Sequence, residues 1–93
     1  MAISNEVVIR HKTGLHARPA ALFVKTAAGF SSQITLENLT KQKAPVNAKS
    51  IISLLTASVQ TNDHIRITAN GADEEAAVAA LSDLVNNNFG EAE

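Results

Sequence analysis

The sequence contains no cysteine, no tryptophan and no tyrosine. Without cysteine there is no disulfide, no zinc–thiolate site and no thiol nucleophile, which fits a reducing, cytoplasmic setting. The aromatic residues are three phenylalanines, so aliphatic side chains must make most of the core. A formal net charge of −1 argues against a protein whose main task is to coat nucleic acid. No apolar run approaches the ~20 residues needed to span a bilayer. The opening MAISNEVVIRHK lacks the apolar stretch of a signal peptide. Membrane insertion and secretion are therefore not expected. The 93 residues are expected to make one domain, 1–93, with a modest two-layer core.

What is present is a regular alternation of patterns. Asn5 to His11 places Val7 and Ile9 opposite Val8 and Arg10, which predicts a strand. Lys12 to Gly14 reads as a turn. From Ala17 to Ala28 the apolar residues Ala20, Phe23, Val24 and Ala27 recur at helical spacing. Gly29 is expected to end this helix in the left-handed region, with Phe30 folding back on Val24. Ile34 and Leu36 alternate with Thr35 and Glu37 in a second strand. A polar turn and a weak third strand follow, placed at an edge because Pro45 cannot donate to a ladder. Ser50 to Val59 predicts a short helix with Ser50 as its N-cap. Its core positions are expected to be Ile51, Leu54 and Leu55. Asn62 suits a turn with positive φ, and Ile65, Ile67 and Ala69 mark one face of a fourth strand. Asp73, Glu74 and Glu75 open a last helix, where carboxylates favour the positive end of the dipole. Val78, Leu81, Leu84 and Val85 form its buried stripe, and Asn86 onward reads as a fraying end with Phe89 tacked to the core. The order β-α-β-β-α-β-α predicts an α+β fold: a four-stranded, mainly antiparallel sheet with three helices on one face.

The segment Gly14 to Ala20, GLHARPA, combines an imidazole, a guanidinium and a proline at a helix start. With His16 at the N-cap, the N–H groups of Ala17 and Arg18 have no intrahelical partner. Pro19 has no N–H and needs none in a first turn, where its fixed φ stiffens the chain. Gly14 allows a sharp bend before it. Free N–H groups, a dipole end and a guanidinium make a small anion site. An imidazole beside it offers a nitrogen nucleophile near neutral pH, which suits a phosphoryl acceptor. Spacing alone leaves two other readings open: a histidine that merely caps the helix beside a solvated arginine, and a metal site built from His11, His16 and His64. No metal or cofactor is expected.

The segment GLHARPAALFVKTAAGF resembles the active-site segment of the HPr family, the histidine-containing phosphocarriers of the bacterial sugar phosphotransferase system. VNAKSII, Val46 to Ile52, resembles the second signature of that family, and ITANGADEEAAVAAL resembles its last strand and helix. The resemblance covers nearly the whole chain and implies an open-faced β-sandwich. It implies that His16 accepts a phosphoryl group on Nδ1 from phosphorylated Enzyme I and passes it to Enzyme IIA domains of sugar permeases. Arg18 would stabilise the phosphate, Pro19 would be structural, and Ala17 would lend its backbone N–H. Such a protein is a carrier, not an enzyme, and is expected to be a monomer without a cofactor. Ser50 falls on the regulatory serine of the family, which would make an HPr kinase/phosphorylase and a transcriptional regulator further partners. Ile51, Ile52 and Leu55 match partner-binding positions, with Lys25 and Lys49 on their basic rim. A regulatory or nitrogen-branch carrier acting mainly by protein binding is the alternative. Two features depart from the family pattern. The chain before Ser50 is longer by about three residues, as exposed turns tolerate, and Ser58 stands where many members have glycine.

Overall fold

The computed structural model describes residues 2–91. Four strands form one antiparallel sheet in the order β1-β4-β2-β3. They are β1 (Ile3–Val8), β2 (Gln33–Asn38), β3 (Val46–Asn47) and β4 (His64–Asn70). The helices are α1 (Ala17–Ala28), α2 (Ile51–Thr56) and α3 (Glu74–Asn86), followed by a short 3-10 turn, Asn88–Gly90. This is the expected α+β element order with that turn added.

The two faces of the sheet follow from the period of two. Val7, Ile34, Leu36, Ile65, Ile67 and Ala69 are buried beneath the helices, with α3 packed on β1 and β4 and α1 against α2 and α3. On the opposite face Arg66 sits between Glu6 and Glu37, its two direct cross-strand neighbours. It donates to both carboxylates at 3.1 Å. Such a face is stable in water without a covering layer. Phe23 and Pro19 from α1, Leu54 from α2, and Val78, Leu81 and Val85 from α3 complete the core. Leu84 of the expected stripe is only half-buried, and Ala77 and Ser82 join it instead.

Several boundaries differ from the pattern-based expectation. β1 runs from Ile3 to Val8 instead of from Asn5 to His11. Ile9 is nonetheless buried, and its N–H donates to the Asp63 carbonyl at 3.0 Å. α1 ends where expected, but Gly29 is right-handed, at φ −75°. The Gly29 and Phe30 N–H groups reach back to Thr26 and Ala27 at 3.1 Å, so a tightened 3-10 turn satisfies the last carbonyls without a left-handed residue. β3 does lie at the edge, with Pro45 just before it. α2 stops at Thr56 instead of Val59, because Ser58 turns left-handed at φ 54°. That short helix buries only Leu54, leaving Ile51, Ile52 and Leu55 exposed, so Ile51 and Leu55 are not core residues. Asn62 has the expected positive φ, 73°. The region after α3 is held as far as Glu91: Phe89 is buried and the Asn88 amide donates to the Glu91 carbonyl at 3.0 Å. The last two residues, within the predicted fraying end, lie outside the described residues.

A candidate phosphoryl-acceptor site at the start of helix α1

Gly14, at φ 67°, turns the chain between β1 and α1. A Cβ there would come within 2.5 Å of the Val59 carbonyl oxygen, so the position needs glycine on two counts. The Leu15 N–H then donates to that same carbonyl at 3.0 Å, and buried Leu15 pins the approach to the helix. His16 is the N-cap in an extended conformation, and its carbonyl accepts the first helical bond from Ala20 at 2.8 Å. Its side chain makes no capping bond and lies exposed. The simple capping reading therefore fails: the ring is presented outward. The N–H groups of Ala17 and Arg18 precede the first helical bond, and buried Pro19 closes the turn beneath them.

Arg18 extends into solvent with its side chain 78% exposed, and Nη1 stands 3.7 Å from Glu91 Oε2. That separation is long for an ion pair in solvent and leaves the guanidinium able to turn to a stronger anion. Glu91 is fixed from the other side. The Thr13 N–H donates to His11 Nδ1 at 3.2 Å, so the His11 proton sits on Nε2, which donates to Glu91 Oε1 at 2.8 Å. His11 is buried and meets the Phe89 ring edge-on, with centroids 5.9 Å apart. The His11 bond, and then Arg18, hold the Glu91 carboxyl below its ordinary range against the opposing effect of burial. A cavity of about 350 Å³ opens between His16, Arg18 and this pair. Sequence patterns did not reveal the His11–Glu91 link, because its members are 80 residues apart.

Beside His16 lies the exposed apolar face of α2. Ile52 is 73% exposed, flanked by Ile51 and Leu55. A second cavity, of about 240 Å³, is lined by His16, Leu55 and Ser58, so α2 borders His16 directly. Lys25 is exposed on α1. Lys49 is half-buried and donates to the Phe30 carbonyl at 2.7 Å. Ser50 caps α2, its hydroxyl accepting from the Ser53 N–H at 3.3 Å. Net charge had concealed a segregation readable in the sequence. Seven of the eight Lys and Arg residues, but one of the nine Asp and Glu residues, lie between Val7 and Asn62. That segment carries α1, α2 and the site, so positive charge predominates around His16, with Glu91 the carboxylate lining the cavity beside it. His64 is exposed at the start of β4, and no three His, Asp or Glu side chains among the described residues are placed to hold a metal ion. No described helix is long and apolar enough to cross a membrane.

A family model for the PTS HPr component phosphorylation site matches residues 3–87. Phosphocarrier protein HPr of Neisseria meningitidis serogroup A is 38% identical over 91 residues, 98% of this chain and 99% of that protein. The HPr-like protein Crh of Bacillus subtilis is 43% identical over 83 residues, 89% of this chain and 94% of its own. The multiphosphoryl transfer protein of Escherichia coli O157:H7 is 38% identical over 96% of this chain, which spans only 24% of that longer protein. Among solved structures, HPr from Thermoanaerobacter tengcongensis superposes with a TM-score of 0.91 at 47% identity, covering 98% of this chain and 99% of that one. HPr from Bacillus anthracis gives a TM-score of 0.83 at 40% identity, covering 90% and 96%. With the family model spanning nearly the full fold and full-length relatives well above 30% identity, the chain belongs to the HPr family of phosphocarrier proteins.

Proposed function

We propose that this chain carries phosphoryl groups in the phosphotransferase system, with His16 as the acceptor. The observation that carries the reading is the outward-facing, unbonded His16 ring at the start of α1, beside two free N–H groups and an adjustable guanidinium. The lone pair of Nδ1 attacks phosphorus, a phosphorus–nitrogen bond forms, and the bond from phosphorus to its donor on Enzyme I breaks. The Ala17 and Arg18 N–H groups and the Arg18 guanidinium take the phosphoryl oxygens. The reverse displacement then hands the group to an Enzyme IIA domain. Charge stabilisation by the fixed N–H groups needs no reorganisation at the moment of transfer. The carrier has no turnover of its own, works in the cytoplasm and acts as a monomer.

The apolar patch Ile51, Ile52 and Leu55 serves as the docking centre for both partners. A basic rim of Arg18, Lys25 and Lys49 speeds encounter with acidic surfaces. Ser50 adds a regulatory site for a serine kinase. Its oxygen already accepts the Ser53 N–H, and phosphate at that position gains the same donor while placing negative charge inside the basic rim. A transcriptional regulator would read that form.

Incubation with Enzyme I and phosphoenolpyruvate should label the wild type with acid-labile phosphate that an Enzyme IIA domain then removes. His16→Ala should take no label. Undiminished acid-labile label on that variant would overturn the assignment.

A further inference from the structure

The chain between β2 and β3 is tied down at one lysine and displays another. Lys41 turns inward: its ammonium bonds buried Asp63, and its N–H donates to Asn38 Oδ1 at 3.1 Å. Asn38 is fully buried and donates to the Ala57 carbonyl at 3.0 Å and to Asp63 at 3.2 Å. Gln42 takes a left-handed φ of 55°, which reverses the chain. Lys43 then points away from that anchor, across to the end of α2, where Nζ donates to the Thr56 carbonyl at 3.0 Å and the Ser58 hydroxyl at 3.3 Å. Both partners are neutral oxygens. An ammonium has three donors, and no carboxylate among the described residues lies within ion-pair distance of this one. Lys43 is exposed, and its charge has no carboxylate partner among those residues while two hydrogen bonds hold it to the end of α2.

That position borders the site. Ser58 lines the same cavity as His16 and Leu55, so Lys43 holds a residue of the docking face. We propose that the 39–45 segment is a partner-selecting element whose contact residue is Lys43, which meets a carboxylate on the protein that exchanges phosphoryl groups with His16. This rests on the carrier function proposed above. The occupant is an acidic protein surface, because positive charge predominates around His16 and Lys43 extends it beyond α2. Anchoring through Lys41, Asn38 and Asp63 presents the ammonium already ordered, which lowers the entropy lost on binding.

The same bonds would also help close α2, so the test must separate contact from capping. Phosphoryl transfer from phospho-Enzyme I is measured against carrier concentration for wild type, Lys43→Arg, Lys43→Met and Lys43→Glu, with thermal melts of each. The expected KM rises about threefold for Lys43→Met and about tenfold for Lys43→Glu, with kcat retained, as for rim charges that act on encounter. Lys43→Arg should stay near wild type, and the gap between wild type and Lys43→Met should shrink with added salt. Equal KM for wild type, Lys43→Met and Lys43→Glu at low salt overturns the proposal, whatever the melts show. A wild type that accepts no label at all instead overturns the carrier function, and this inference with it.

Discussion

Replacing Gly14 by alanine should destabilise the fold at the point where it delivers His16. The residue is left-handed at φ 67°, a region that costs a Cβ-bearing residue roughly 1–2 kcal/mol. The added Cβ would lie 2.5 Å from the Val59 oxygen and 2.8 Å from the Gln60 Cα. Both are backbone atoms, so no side-chain rotation relieves them, and separation strains the Leu15–Val59 hydrogen bond, worth about 1 kcal/mol. Alanine stiffens the unfolded chain and returns about 0.4–1 kcal/mol. The net loss is about 1–3 kcal/mol, a substantial part of the ~5–10 kcal/mol expected for a domain of this size. Urea titration followed by far-ultraviolet circular dichroism should show a lower midpoint with an unchanged slope. The melting temperature should fall by roughly 5–20 °C. A loss below about 0.5 kcal/mol would refute the reasoning that the Val59 backbone cannot yield.

Two further outcomes separate docking from packing and locate the acid sensitivity. Ile52→Ala should change stability by less than about 0.5 kcal/mol, because Ile52 is mostly in solvent, yet raise KM for phospho-Enzyme I about fivefold; an unchanged KM contradicts the apolar docking centre. The Ser32 hydroxyl and then the Ser31 N–H hold the Asp73 carboxyl at about 2, below its ordinary 3.8. A lowered folded-state value gives stability that is complete above the ordinary value and is lost as pH falls toward the folded one. Asp73→Asn should therefore melt lower at neutral pH and lose less on acidification from pH 3.8 to about 2. A variant that keeps the full wild-type acid slope would show that other lowered carboxyls, Asp63 or Glu91, carry it.

Local periodicity served well where one element made its own case. The bounds of α1, Ala17–Ala28, follow from its stripe and from the motif at its start. The inward residues of β2 and β4 follow from strict alternation. It served less well where long-range contacts decide. Ile51 and Leu55 have helical spacing with Leu54, but a six-residue helix turns only one position fully inward, so spacing overstated the core. Gly29 could have ended α1 left-handed, yet backbone bonds to Thr26 and Ala27 made that unnecessary. The site itself divides in the same way. His16, Ala17, Arg18 and Pro19 are contiguous and were legible together. The His11–Glu91 clamp on Arg18 joins the two ends of the fold, and Lys43 meets Ser58 only because the chain reverses at Gln42. Neither has a local signature.

The central claim concerns one nitrogen atom, and nuclear magnetic resonance of the phosphorylated chain tests it directly. With nitrogen-15 in the imidazoles and phosphate transferred from Enzyme I, phosphorus coupling should appear at Nδ1 of His16, while the His11 and His64 rings keep their unphosphorylated signals. Phosphorus on His11, on His64 or on a hydroxyl oxygen would contradict the account.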